Sequence, residues 1–233
     1  MSSNTPLLAA LDHLLGVPAV ESTVELDKRL KEWKNSTCTT ILPTVHINDK
    51  FPVNIIDPNL NCGPWIAGGA ALSWYQGEPI GFSDIDVFFN SKGQFDRVNN
   101  IVKTLNATIL HESANAITYG LTVPSSSENT MSNWKIQLIK RTFDNVQQLV
   151  DSFDITVCQI ATDGRSYVLG NNTAQHIKTK TLAMINMTPS LIRRVIKYWS
   201  YGYEPTTELL DYISNNSDAI TWTLPSSDDY DTI

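Results

Sequence analysis

Trp65-Ile-Ala-Gly-Gly-Ala-Ala-Leu-Ser-Trp-Tyr-Gln-Gly-Glu-Pro-Ile-Gly-Phe-Ser-Asp-Ile-Asp-Val-Phe-Phe89 reads as a strand, a Gly-Gly turn, a helical segment, a loop and a second strand. In the second strand Asp84 and Asp86 are two residues apart on a β run, so their side chains leave the same face and their oxygens can share a hard cation. Gly68 and Gly69 follow the first strand. Without side chains they let a ligand approach the backbone closely, and their N–H groups precede a helix start, where phosphate binds well. Metal-binding carboxylates beside a phosphate cradle are the minimum apparatus for two-metal phosphoryl or nucleotidyl transfer.

A third acid would complete such a site. Downstream, Phe153-Asp-Ile-Thr-Val157 sets Asp154 among apolar residues, a costly place for a carboxylate unless it has a partner. Gly-Gly turns and Asp-x-Asp strands are each common, and the order is what makes them specific. Here Asp84 comes fifteen residues after Gly69, and an apolar-flanked Asp follows on a later segment expected to be a strand from Phe153 to Ala161.

On these residues the sequence, over about Trp65 to Gly202, resembles the polymerase-β-like nucleotidyltransferase superfamily, and within it the catalytic head of the tRNA nucleotidyltransferase and poly(A) polymerase branch. The resemblance implies an α+β fold, with a mixed, mostly antiparallel sheet flanked by helices. It implies that Asp84, Asp86 and Asp154 are catalytic residues and ligands of Mg²⁺ or Mn²⁺, and that Gly68 and Gly69 contact the triphosphate. Ser73, Ser83, Arg194 and Lys197 join that nucleotide-binding set, the last two in Arg193-Arg-Val-Ile-Lys-Tyr-Trp-Ser-Tyr-Gly202, which resembles the helix after the head. The implied partners are an NTP and an RNA 3′ end. Leu72-Ser73 stands where bacterial-type tRNA enzymes carry Arg-Asp, and no Glu-Asp-x-x-Arg motif is found, so a protein or small-molecule acceptor, or a catalytically silent binding module, remains open.

The rest of the chain is consistent with a globular enzyme. It has 233 residues, 42% hydrophobic and 18% charged, which is long enough for a real core and excludes general disorder. A net charge of −7 argues against a surface that is one large nucleic-acid footprint. Lys178, Lys180, Arg193, Arg194 and Lys197 form the main basic concentration, and Lys135, Lys140 and Arg141 a lesser one. Cys38, Cys62 and Cys158 have no CxxC spacing and are expected to be reduced and mostly buried. His13, His46, His111 and His176 are scattered without ligand spacing. No run of apolar residues has the length of a membrane span and no basic stretch opens a signal peptide, so a cytoplasmic protein without membrane partners is expected.

We divide the chain into an N-terminal helical segment (1–40), a catalytic core (41–170), a C-terminal helical region (171–224) and an acidic tail (225–233). Helices are expected at Leu7–Leu15, at Leu26–Trp33 behind a Ser22-Thr-Val-Glu capping box, at Gln94–Leu105, after Asp144-Asn-Val-Gln147, and at Thr173–Met184. Two more are expected, from Thr188-Pro189 to about Tyr201 and from Thr206 to Ile213. Short edge strands are expected at Thr44–Ile47 and Val53–Ile56, further strands of one mixed sheet at Thr108–Leu110, Ala116–Val123 and Trp134–Ile139, and a turn at Gly164-Arg-Ser166.

Overall fold

A computed structural model describes residues 40–42, 53–78, 84–124 and 131–216. The expected N-terminal helices, the Thr44–Ile47 strand, the acidic tail, Ser83 and Cys38 lie outside the described residues.

In chain order the elements begin with β1 (Thr40–Leu42), α1 (Val53–Ile56), β2 (Trp65–Ala67), α2 (Gly69–Tyr75), β3 (Ile85–Phe89) and α3 (Lys92–Thr104). The middle of the chain contributes β4 (Thr108–Glu112), β5 (Ala116–Pro124), β6 (Met131–Thr142) and α4 (Val146–Asp151). A 3₁₀ turn (Thr156–Cys158) leads into β7 (Ile160–Thr162) and β8 (Tyr167–Leu169). The last part holds α5 (Thr173–Thr179), β9 (Thr181–Leu182), α6 (Leu191–Ser200), β10 (Glu204–Pro205) and α7 (Thr207–Asn215).

The main sheet has the order β1-β8-β7-β2-β3-β6-β5-β4. Every neighbouring pair is antiparallel except β3 and β6, which run parallel. The protein is therefore α+β with a mixed, mostly antiparallel sheet flanked by helices. Ile-Asp-Val-Phe-Phe makes β3 a central strand because its β-branched and aromatic side chains fill both layers; Ile85, Val87, Phe88 and Phe89 are all fully buried. Phe88 packs edge-on against Phe143 and Phe153 on one side of the strand, and Phe89 packs against Phe95 of α3 on the other.

Helix α3 starts at Lys92, two residues before the expected Gln94, behind a Ser91 cap. The Ser91 hydroxyl accepts from the Gln94 N–H at 3.3 Å, and the Gln94 side chain reaches back to the Asn90 N–H at 3.1 Å. Thr206 caps α7 in the same way, accepting from Leu209. For the expected Asp144 cap, the capping residue is Asn145, one position on, whose side chain accepts from Gln148. Gly164-Arg-Ser166 forms the β7–β8 turn as expected, with Asp163 accepting from Arg165 and Ser166.

Four expected elements differ. Val53–Ile56 is one helical turn rather than an edge strand. Phe153–Ala161 is not a continuous strand: it bends at Asp154, bridges Met184 at Ile155, winds a 3₁₀ turn and only then becomes β7. The helix expected over Thr173–Met184 stops at Thr179, because Lys180 turns left-handed (φ 54°) and Thr181-Leu182 pairs with Glu204-Pro205. The last long helix starts at Leu191, and the Thr188 hydroxyl expected as its cap is drawn to Asp154 instead. In the last three cases a tertiary partner outweighs a local propensity.

Candidate active site at the Gly68 turn

β2 and β3 lie antiparallel with Ala67 opposite Asp86, so the end of β2 and the acidic start of β3 meet at one edge of the sheet. Gly68 follows at φ 72°, ψ −136°, a conformation open essentially to glycine, and its N–H is tied to the Ile160 carbonyl of β7 at 2.9 Å. A Cβ added there would lie 3.5 Å from Phe153 and 3.9 Å from Asp86 Oδ2. At Gly69, which opens α2, an added Cβ would come within 3.3 Å of the Tyr198 hydroxyl. The turn is thus glycine for two reasons: backbone shape at Gly68, and close approach of α6 at Gly69.

The two acids of β3 differ. The Asp84 side chain is 13% exposed and lies 3.8 Å from the Lys135 ammonium. Asp86 is half-buried, and its Oδ1 is buried without a hydrogen-bond partner among the described residues. Burial first, and the Asp84 charge second, push the Asp86 carboxyl up to about 7, while Lys197 and Arg194 pull it back. Lys197 and Arg194 of helix α6 thus share one electrostatic neighbourhood with the acidic strand.

Asp154 has no solvent exposure, and it is held from several directions. Its Oδ2 accepts from Arg194 at 2.5 Å and from the Thr188 hydroxyl at 2.6 Å. Its backbone carbonyl accepts from the N–H groups of Ile185 (2.6 Å) and Asn186 (3.2 Å). The Asn186 side chain clamps the same bend by donating to the carbonyls of Asp151 and Phe153. Asp154, expected as a third acid beside Asp84 and Asp86, is thus ion-paired to Arg194. Off the sheet and ion-paired, it fixes Arg194, and among the described residues no group of three or more His, Cys, Asp or Glu side chains is arranged to hold a metal ion. Burial works against the Arg194 charge, and Asp154 outweighs it, holding the guanidinium above its ordinary pKa.

Helix α6 buries Leu191, Val195 and Tyr198, leaving Ile192 half-buried and Ile196 exposed, so the inward stripe is not the one its apolar residues predict. Arg194 turns inward to Asp154, while Arg193 and Lys197 stay exposed, so the expected basic face is split. The Lys197 ammonium stands 5.9 Å from the Tyr198 ring centre. Tyr198 is itself buried, which raises its hydroxyl's pKa, and it hydrogen-bonds Cys158, whose thiol burial and then Asp154 push up to about 12. Cys158 is therefore inert, and Cys62 is exposed and unpaired, against the expectation of mostly buried cysteines.

Of the other expected contacts, Ser73 lies in the second turn of α2, half-buried, and its side chain makes no hydrogen bond to the acids among the described residues. Lys140 is engaged by Glu112 and the Ser113 carbonyl, and Arg141 stacks on Phe143, so the lesser basic group does not reach the site as a unit. Sequence reasoning missed Gln137. It lies on β6 in register with Asp86, has no solvent exposure, and its Oε1 is unpartnered among the described residues. The available signal was a polar residue alternating into the apolar run Ile136-Gln-Leu-Ile139.

The family model described as Gabija anti-defense 2 family protein matches residues 33–180. The chain belongs to the Gabija anti-defense 2 family. No curated protein sequence matches this family member. Its similar solved structures include a CCA-adding enzyme in complex with ATP (12% identity, TM-score 0.46, covering 91% of this chain and 46% of that one). Others are a CCA-adding enzyme with CTP (12%, TM-score 0.49, 72% and 44%) and the Thermotoga maritima CCA-adding enzyme complexed with tRNA (12%, TM-score 0.36, 76% and 36%). The chain spans less than half the length of each of these enzymes. No helix among the described residues is long and apolar enough to cross a membrane.

Proposed function

We propose that this protein is a divalent-cation-dependent nucleotidyltransferase, moving a nucleoside monophosphate from an NTP to an acceptor hydroxyl, with an RNA 3′ end as the acceptor. The observation that carries this reading is the convergence of three kinds of group. A glycine turn, two same-face carboxylates and a basic helix meet around Asp86, whose pKa feels Asp84, Lys197 and Arg194. The unpartnered Asp86 Oδ1 and the mutual repulsion of Asp84 and Asp86 fit a bound Mg²⁺ or Mn²⁺. When bound, such an ion supplies Lewis-acid charge that offsets the triphosphate and acidifies the acceptor hydroxyl.

The chain's own residues do the rest. Asp84 and Asp86 hold the cation. The triphosphate lies along the acidic edge of β3, next to the Gly68-Gly69 turn. Lys197 faces the phosphates from α6, and Arg194, fixed by Asp154, adds positive charge from behind it. In the transfer, the acceptor oxygen bonds to Pα, the bond from Pα to the pyrophosphate oxygen breaks, and the acceptor proton passes to a carboxylate or to water.

The test is incubation with Mg²⁺ and each α-³²P-labelled NTP, with and without cellular RNA, resolved on a denaturing gel. Label migrating with RNA is expected. Label migrating with protein would replace the RNA acceptor by a protein one. No transfer with any nucleotide or metal would overturn the enzyme reading.

A further inference from the structure

Across the sheet the register sets Ala67, Asp86, Gln137 and Thr118 side by side on β2, β3, β6 and β5, with their side chains on one face. Ala67 offers Asp86 only a methyl group. On the other side Gln137, fully buried, donates its Nε2 to the Thr118 hydroxyl at 3.0 Å. The two polar atoms of a planar amide diverge from one carbon. With Nε2 anchored toward β5, Oε1 points away from Thr118, on a side chain whose other neighbour in register is Asp86.

That oxygen and Asp86 Oδ1 are both buried, and neither has a hydrogen-bond partner among the described residues. Once Asp86 is ionised both are acceptors only, and neither can then satisfy the other. Leaving such an atom unmet costs about 1–3 kcal/mol each. Something positive between them removes both penalties at once, and a cation held by Asp84 and Asp86 lies where it can do so.

We propose that Gln137 supplies a third, uncharged oxygen ligand to that cation, held in place by Thr118. This deepens the proposed nucleotidyltransferase reading and rests on it. A neutral amide in place of a carboxylate leaves the protein ligands with two negative charges rather than three. Binding without nucleotide is then correspondingly weaker and depends on all three oxygens.

The test measures Mn²⁺ binding by the full chain without nucleotide, reading free Mn²⁺ by its electron paramagnetic resonance signal. Thermal unfolding in EDTA is followed in parallel. Gln137→Met keeps the volume and removes the oxygen; Gln137→Glu keeps an oxygen and adds charge; Thr118→Val releases the anchor; Asp86→Asn removes a carboxylate. Expected are loss of binding in Asp86→Asn, at least about tenfold weaker binding in Gln137→Met, an intermediate loss in Thr118→Val, and equal or tighter binding in Gln137→Glu. In EDTA, Gln137→Met unfolds no earlier than the wild type.

If Asp86→Asn abolishes binding while Gln137→Met and Thr118→Val leave it unchanged, this inference fails and the nucleotidyltransferase reading stands. A lower midpoint in EDTA for Gln137→Met with Mn²⁺ affinity unmoved makes Gln137 structural, and also overturns it. If wild type and Asp86→Asn bind alike, or neither binds, the cation site itself is wrong and both fall. Should Gln137→Met not fold, Gln137→Glu and Thr118→Val decide the matter by the same affinities.

Discussion

Replacing Asp86 by Asn should stabilise the metal-free protein, and by an amount that grows with pH. In the fold this carboxyl titrates at about 7 instead of its ordinary 3.8, because it is buried and faces Asp84. The folded state therefore holds a proton that the unfolded chain has already released. Its contribution is intact below about pH 4 and is lost steadily as pH rises to about 7, at roughly 1.4 kcal/mol per pH unit. An Asn resembles the protonated acid and carries no such penalty. Over pH 5.5 to 8 the advantage of Asp86→Asn should widen by about 2 kcal/mol, worth some 4–8 °C in a domain of this size. Thermal unfolding of both proteins in EDTA at those two pH values is the assay. Adding Mg²⁺ should then raise the wild-type midpoint and leave that of the variant where it was. A midpoint difference independent of pH, or a variant less stable than the wild type at pH 8, would refute the argument that Asp86 is held in a cation-demanding environment.

Three other outcomes follow from the same geometry. Asp154→Ala leaves the Arg194 guanidinium buried without its partner and should cost about 3–5 kcal/mol by urea unfolding, whereas Arg194 and Asp154 replaced together by Met and Leu should recover most of it. Gly68→Ala forces a side chain into a conformation at φ 72°, ψ −136°; we expect a loss of about 1–3 kcal/mol in stability, together with loss of labelled-nucleotide transfer. Lys197→Ala removes a charge that draws the Asp86 pKa down, so the metal-free protein should lose stability more steeply between pH 6 and pH 8, while its midpoint at pH 5 hardly moves.

The sequence by itself determined several strands of the main sheet and where its acidic edge lies. β2, β3, β5 and β6 are dense in β-branched and aromatic residues, and the Asp84 and Asp86 side chains share a face whatever the topology, because that follows from the two-residue period of a strand. Gly68 was legible for a similar reason, since a positive φ between strand and helix leaves few other residues possible. What tertiary structure alone decided is the fate of Asp154 and Gln137. A lone acid between Phe153 and Ile155 reads as a strand position awaiting a metal, and nothing local reveals that Arg194, forty residues on, neutralises it, or that Thr188 leaves its helix to help. Gln137 stands beside Asp86 only because β6 runs parallel to β3 at that register, across a connection of more than forty residues. Periodicity is a property of neighbouring residues and survives in the sequence. Pairing between distant charges, and the register of strands joined by long connections, are settled by the free energy of the whole packed chain, where burial of one carboxylate makes the position of its partner decisive.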